Sequence, residues 1–283
     1  MKALDPPPTR IIKIDILVSL ALEPAAIEAV LKELRTYIRN ADKKFVCASI
    51  RGVGRVAELA RIVYDRHGQL SGSIQQERQT ANRIALDCLY GLAVITQAGD
   101  NPMVVGEAVC VMQCILTMLS CDVDHAIEDP NHVQTFALRR ILLLLVHTLS
   151  SRSKSSDTSD NQDDDDDDIN NVSDLDKLSL ELPEHAVASA IWTIGEWLIS
   201  SSSSPSHNNG TSKSQVGTEI ARLLDQQYPD MSTAEKCQSI HFASKLLLLG
   251  STGFTHSTTT TAICEHILSM GRIDVHPDVK DRA

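Results

Sequence analysis

Aromatic residues are scarce: Phe, Tyr and Trp make up 4% of the 283 residues, so any core must be aliphatic and built largely from small side chains. No segment alternates apolar and polar residues with β-branched enrichment, which argues against a half-buried sheet. Uninterrupted apolar runs are short. Residues 141–146 form one of the longest and fall far below the ~20 residues of a membrane-spanning helix. The opening Met1-Lys2-Ala3-Leu4-Asp5-Pro6-Pro7-Pro8 lacks the apolar run of a secretory signal. The seven cysteines therefore read as reduced cytosolic thiols, mostly small core residues, and Asn171-Val172-Ser173 and Asn209-Gly210-Thr211 as chance matches to the glycosylation pattern. Positive charge is not in excess. The net charge is −11, which argues against nucleic acid as the main partner. Histidines are scattered, and no Ser/His/Asp or paired-carboxylate constellation can be assembled, so no catalytic residue, cofactor or metal is expected and the chain reads as a non-enzyme.

Hydrophobic residues, 42% of the chain, recur instead at helical spacing. The organising stretch is residues 186–198, where Val187, Ala190, Ile191, Ile194 and Leu198 share one face. Gly195 sits in its middle, at a cost of about 1 kcal/mol against alanine. Such a glycine marks a place where two helices cross and no side chain is wanted. Residues 45–57 repeat the design: Gly54 aligns with Gly195, Ile50 with Ile191, Val53 with Ile194 and Phe45 with Ala186. Two copies of one helix type point to stacked helical repeats.

In chain order, residues 6–8 end an extended lead-in and residues 11–22 form an apolar helix. Pro24 opens the next helix, whose buried face carries Ile27, Val30, Leu31, Leu34 and Ile38. Asp42 caps the Phe45 helix, residues 67–73 form a loop marked by Gly68 and Gly72, and a helix covers 75–96. Gly99-Asp100-Asn101-Pro102 separates it from a stripe of Val105, Ala108, Val109, Met112, Leu116 and Leu119. Residues 136–149 are a leucine-rich helix. Residues 151–182 hold ten Asp and one Glu against three Lys or Arg, a net of −8, and read as a disordered acidic insertion. Helices follow at 216–227, 233–249 and 260–271, after a Ser-rich loop at 200–214. The expected fold is all-α: an α-solenoid of HEAT/armadillo-like helix pairs, with trunk repeats over 1–150 and 183–283 and two disordered polar insertions.

Four features invite chemistry. Gly52-Val53-Gly54-Arg55-Val56-Ala57 matches a dinucleotide fingerprint, which requires a strand before it and a helix starting at the glycines. Here the helical pattern passes through the glycines, which favours packing. Cys110, Cys114 and Cys121, with His125 and His132 nearby, have some metal-ligand character, but their apolar stripe favours core thiols. The run Asp163 to Asp168 lacks the alternation, glycine and terminal Glu of a calcium loop and reads as a solvated tether. Ser155, Ser156 and Ser159 just before it are candidate phosphorylation sites. Trp192 and Trp197, five residues apart, read as packing residues, and Glu196 as a surface or packing-edge charge.

Residues 191–197, Ile-Trp-Thr-Ile-Gly-Glu-Trp, resemble the Ile-Trp-x-x-Gly-Glu-Tyr segment of the beta-adaptin trunk. Further stretches agree in order: residues 31–37 with 42–46, residues 50–55, residues 104–109, and the end, where residues 279–282 read Val-Lys-Asp-Arg. Within the clathrin/coatomer adaptor large-subunit family, the pattern is most similar to the beta branch of adaptor complex three. The resemblance implies a non-catalytic scaffold of a vesicle-coat adaptor complex, held by medium, small and second large subunits. It implies a cytoplasmic protein lying peripherally on Golgi and endosomal membranes through the complex, and sorting towards lysosome-like or vacuolar compartments. Clathrin contact would come through regions without counterpart here, and the ending inside a motif reads as part of a longer protein. The structural motif expected to carry the trunk is Phe45, Ile50, Gly54, Ile191, Trp192, Gly195 and Glu196. The competing readings are another HEAT-type transport scaffold, such as a coatomer subunit or nuclear transport receptor, and a nucleotide-binding module around residues 52–57.

Overall fold

A computed structural model describes residues 5–99, 101–120, 130–156, 180–200, 210–251 and 258–283. Among these residues there are eleven α-helices and no strand: α1 (Pro7–Ser19), α2 (Pro24–Tyr37), α3 (Lys43–Ser71), α4 (Ile74–Ala98), α5 (Pro102–Ser120), α6 (Pro130–Ser156), α7 (Glu184–Ser200), α8 (Gly210–Gln227), α9 (Thr233–Ser251), α10 (Thr258–Ile273) and α11 (Pro277–Lys280). The chain divides into two compact units, Met1–Arg140 and Ile141–Ala283.

In the first unit, α3 packs on its sequence neighbours α2 and α4 and also on α1 and α5. Odd-numbered helices thus form one row, and the even-numbered helices pair with them. The second unit has the same plan: α9 packs on α7 and α11, α8 on α10, and α9 on α10. This is the all-α stacked-pair architecture of a solenoid. The cores are aliphatic as expected. Ile14, Ile27, Leu34, Ile50, Leu89, Leu92, Met112 and Ile115 are almost fully enclosed in the first unit, and Leu144, Leu145, Ile191, Ile240 and Phe242 in the second.

Local chemistry sets the helix starts. The Asp42 carboxylate accepts from the N–H groups of Lys44 and Phe45 at 3.1 and 3.4 Å, and the Asn101 side chain accepts from Met103 and Val104 at 3.1 and 3.2 Å. Both satisfy donors that a helix start leaves without partners. Ser232 and Glu235 form a reciprocal box at the start of α9: Glu235 accepts from the Ser232 N–H at 2.9 Å and Ser232 from the Glu235 N–H at 3.4 Å.

Several expectations need correction. Pro7 and Pro8 belong to the first turn of α1 and are not an extended lead-in; proline is tolerated there because its missing N–H has no helical partner anyway. The loop expected at 67–73 is helical to Ser71. Gly68 is buried, and a Cβ there would lie 2.8 Å from the Ile74 Cα, so that glycine lets α4 start hard against α3. The turn is made at Gly72, whose φ of 75° is left-handed. Helix α6 reaches Ser156, into the span read as disordered, and at that span's far end Leu180 and Leu182 are buried. The Leu182 N–H donates to the Thr148 hydroxyl at 3.1 Å. Residues 210–214, read as loop, begin α8, and α11 was not foreseen. The interiors of the two insertions, 157–179 and 201–209, lie outside the described residues.

By length and composition alone, two helical stretches, Pro102–Leu119 and Val133–Arg152, are apolar enough to cross a membrane, a property that short uninterrupted runs concealed. In the first, Val105, Ala108, Val109 and Met112 are fully enclosed, so its apolar face is used in packing against α3 and α4.

Candidate functional site

The expected motif residues lie where odd-numbered helices stack. Phe45, Ile50, Ile191 and Ile194 are 3%, 0%, 0% and 1% exposed. The Phe45 ring meets Tyr37 at 5.4 Å, with the Arg10 guanidinium 5.2 Å over it. Gly54 faces α5: an added Cβ would lie 2.7 Å from Val111 Cγ1. Gly52 faces the other way, towards Ile14 and Leu34 at 3.2 Å. Both glycines lie inside α3, whose start is at Lys43, so neither offers free helix-start N–H groups to a phosphate.

Around Gly54 the two helices run parallel in register. Cys47 Sγ donates to the Met103 carbonyl at 3.7 Å, Arg51 pairs with Glu107 at 2.6 Å, and Arg61 donates to the Met118 carbonyl at 3.0 Å. With Gly54, the α3 positions Cys47, Arg51 and Arg61 are spaced by four, three and seven residues, which keeps them on one helix face. The offset between partners is 56 or 57 residues. Other stacked pairs keep a shorter step. Asp15 and Arg55 are 40 residues apart, Thr218 and Thr260 are 42, and Asp225 and His266 are 41. A stacking register near 40 residues is the repeat length of HEAT and armadillo arrays.

Gly195 occupies the equivalent place between α7 and α9. A Cβ on it would lie 3.3 Å from Phe242 and 3.4 Å from the Lys245 stem. Lys245 crosses this notch. Its ammonium pairs with Glu196 at 2.6 Å and lies 5.4 Å from the centre of the Trp192 ring. Glycine, carboxylate and indole thus form a clasp for one lysine stem, which covers apolar surface while its charged head is paired. The charge sense is opposite to that at Gly54, where α3 supplies the cation. Sequence reasoning missed Lys245. The available signal was a single cation beside the leucine run of α9, and nothing local relates it to a motif 49 residues away.

Cys110 is half-buried and Cys114 exposed, which corrects the reading of Cys114 as a core thiol. Cys121 and His125 lie outside the described residues, as does the side chain of His132. Cys47, Cys88, Cys237 and Cys264 are buried; burial pushes the Cys88 and Cys264 thiols up to about 12. Among the described residues, no group of three or more His, Cys, Asp or Glu is placed to hold a metal ion. A groove of 520 Å³ between the starts of α3 and α5 is lined by Asp42, Lys43, Lys44, Asn101, Pro102 and Met103.

Fold and site together define an all-α stacked-helix array whose recurring geometry is close helix-to-helix contact. No family model matches the chain. Among curated proteins it is similar to AP-3 complex subunit beta-2 of Mus musculus, 25% identical over 285 residues, and to AP-3 complex subunit beta-1 of the same organism, 24% identical over 282 residues. It is also similar to AP-3 complex subunit beta of Dictyostelium discoideum, 22% identical over 291 residues. These matches cover 100%, 100% and 96% of this chain, but 18%, 18% and 22% of those proteins. The chain is thus beta-adaptin-like along its length, at modest identity, and spans under a quarter of the curated relatives it matches.

Proposed function

We propose that the chain is part of a non-catalytic scaffold subunit of a vesicle-coat adaptor complex. The observation that carries this reading is the coincidence of a beta-adaptin-like sequence over the whole chain with stacked pairs in a register near 40 residues. Its work is mechanical. Helix pairs locked by Gly54 and Gly195 present their outer faces to a medium, a small and a second large subunit. Residues 1–150 and 183–283 supply the trunk repeats, and the acidic stretch 151–182 separates them. The complex brings the chain to Golgi and endosomal membranes from the cytoplasm and sorts cargo towards lysosome-like or vacuolar compartments.

The test is co-expression with the medium, small and second large adaptor subunits of the same organism, followed by tandem purification. The expected result is recovery of a stoichiometric assembly. Recovery of the chain alone, under conditions where the other three subunits associate, refutes the reading. A nucleotide-binding titration on the same preparation is expected to give no saturable signal, because the GxGxxA residues are buried within or flanked by packed helix.

A further inference from the structure

Residues 32–44, which close α2 and open α3, carry the cations Lys32, Arg35, Arg39, Lys43 and Lys44 against the two acids Glu33 and Asp42. Five against two gives a local net of +3, in a chain whose net charge is −11. Lys43 and Lys44 line the 520 Å³ groove between the starts of α3 and α5. Asp42, the acid that lines it, is already engaged. One carboxylate oxygen accepts from the Lys44 and Phe45 N–H groups, and the other pairs with Arg10 at 3.0 Å. The side-chain oxygen of Asn101 is engaged in the same way by the Met103 and Val104 N–H groups. Both helix starts are thus capped from within, and the charge the groove offers is that of its lysines. Both lysines are exposed, and among the described residues neither meets a carboxylate. The rest of the lining is apolar: Pro102 and Met103, both exposed, Met103 at 52%.

We propose that this groove is the docking site for an acidic linear segment of a partner protein, in which one bulky apolar side chain is flanked by Asp or Glu. The apolar side chain lies against Pro102 and Met103, and the flanking carboxylates pair with Lys43 and Lys44. An aromatic ring suits the floor, since a methionine thioether makes favourable contact with one. The volume agrees, because concave binding sites run from about 300 to 1,000 Å³ and this groove has room for one large residue and its neighbours. Charge complementarity selects the occupant. A chain of net charge −11 repels acidic segments over most of its surface, so a cationic recess on it discriminates sharply. The same net charge disfavours an anionic bilayer, which would meet a whole side of the molecule and not a recess. Such docking adds a recruiting role to the scaffold and is independent of which subunits the scaffold holds.

The experiment titrates the full chain, at physiological salt, with a fluorescent peptide whose central Phe is flanked on both sides by Glu residues, and reads anisotropy. Saturable binding is expected. Lys43→Glu and Lys44→Glu are each expected to weaken it by about tenfold or more. Arg66→Glu makes the same charge change at an exposed position further along α3 and is expected to leave binding unchanged. Replacing the Phe of the peptide by Ala is also expected to weaken binding by about tenfold. Glutamate in a first helical turn is favourable, so the lysine variants are expected to keep the melting temperature of the wild-type chain. Absence of saturable binding, or binding indifferent to both lysine substitutions, overturns the docking site and leaves the scaffold reading standing. Binding that Arg66→Glu weakens as much as Lys43→Glu does is a general charge effect and overturns it as well. Capture of the chain by phosphatidylserine vesicles that Lys43→Glu abolishes, with no binding of the peptide, makes the occupant a membrane and overturns the proposal. A homodimer that Lys43→Glu dissolves makes the occupant a second copy, with the same consequence.

Discussion

One substitution at two glycines has opposite consequences. Gly91→Ala puts a methyl into open space and removes the backbone entropy cost of glycine, so the isolated chain is expected to gain about 1 kcal/mol. Gly54→Ala drives the same methyl to within 2.7 Å of Val111 Cγ1. Overpacking of that kind costs about 1–3 kcal/mol, and a β-branched valine on a helix has little rotamer freedom to yield. Urea midpoints that move the same way for both variants would sink the close-packing account of Gly54. The cysteines divide by access. Cys114 is exposed while Cys47, Cys88, Cys237 and Cys264 are buried. Partial desolvation, with a smaller contribution from the Glu58 carboxylate, raises the Cys114 thiol too, so it reacts slowly. Access still orders the labelling: alkylation of the native chain, read by peptide mass spectrometry, is expected to reach Cys114 before those four.

At the scale of the element, helix starts are local and helix contacts are not. Asp42, Pro24 and the Asn101–Pro102 pair were legible as starts because a capping side chain or a proline acts within one turn. The end of α3 was misread because Gly68 looks like a breaker in isolation, whereas its buried role depends on Ile74 across the turn. The start of α9 joins both kinds of interaction. Glu235 is 1% exposed, closes the capping box with Ser232, and pairs with Arg152 at 3.0 Å. Glu235→Ala removes a cap and the ion pair with Arg152, so a loss of about 2 kcal/mol is expected, with Glu235→Gln keeping part of it. Asp274 ties α9 to the turn before α11. The His276 N–H, at 2.9 Å, and then Lys236, at 2.9 Å, hold its carboxyl below the usual range. A depressed carboxylate stabilises the fold above its unfolded pKa of about 3.9 and loses that contribution as pH falls through its folded value. Asp274→Asn is therefore expected to flatten the acid limb of a stability–pH curve, and an unchanged limb would contradict this account.

For the molecule as a whole, stability in a stacked-helix array is a sum of neighbour interfaces, and each unit carries buried acids that such interfaces hold neutral. Burial raises Cys88 in the first unit, and Cys264 and Tyr228 in the second, to about 12. A group whose folded pKa is raised contributes fully below its unfolded value and loses that contribution as pH rises. Urea midpoints are thus expected to fall from about pH 8.5 upward, where unfolded thiols begin to ionise. Cys88→Ala and Cys264→Ala should each lessen the slope, whatever they cost in packing near neutrality.

The chain's own residues, taken in order, determined that it is helical, aliphatic-cored and repetitive, since propensity, face polarity and capping act over a few residues. They also marked Gly54 and Gly195 as contact points, because a mid-helix glycine is costly unless something approaches it. Only tertiary structure decided what approaches: Val111 at one notch, Phe242 and the Lys245 stem at the other, and nothing among the described residues at Gly91. Those outcomes depend on the register between helices 40 to 57 residues apart, which is set by the fit of many side chains at once and leaves no signature at any single position.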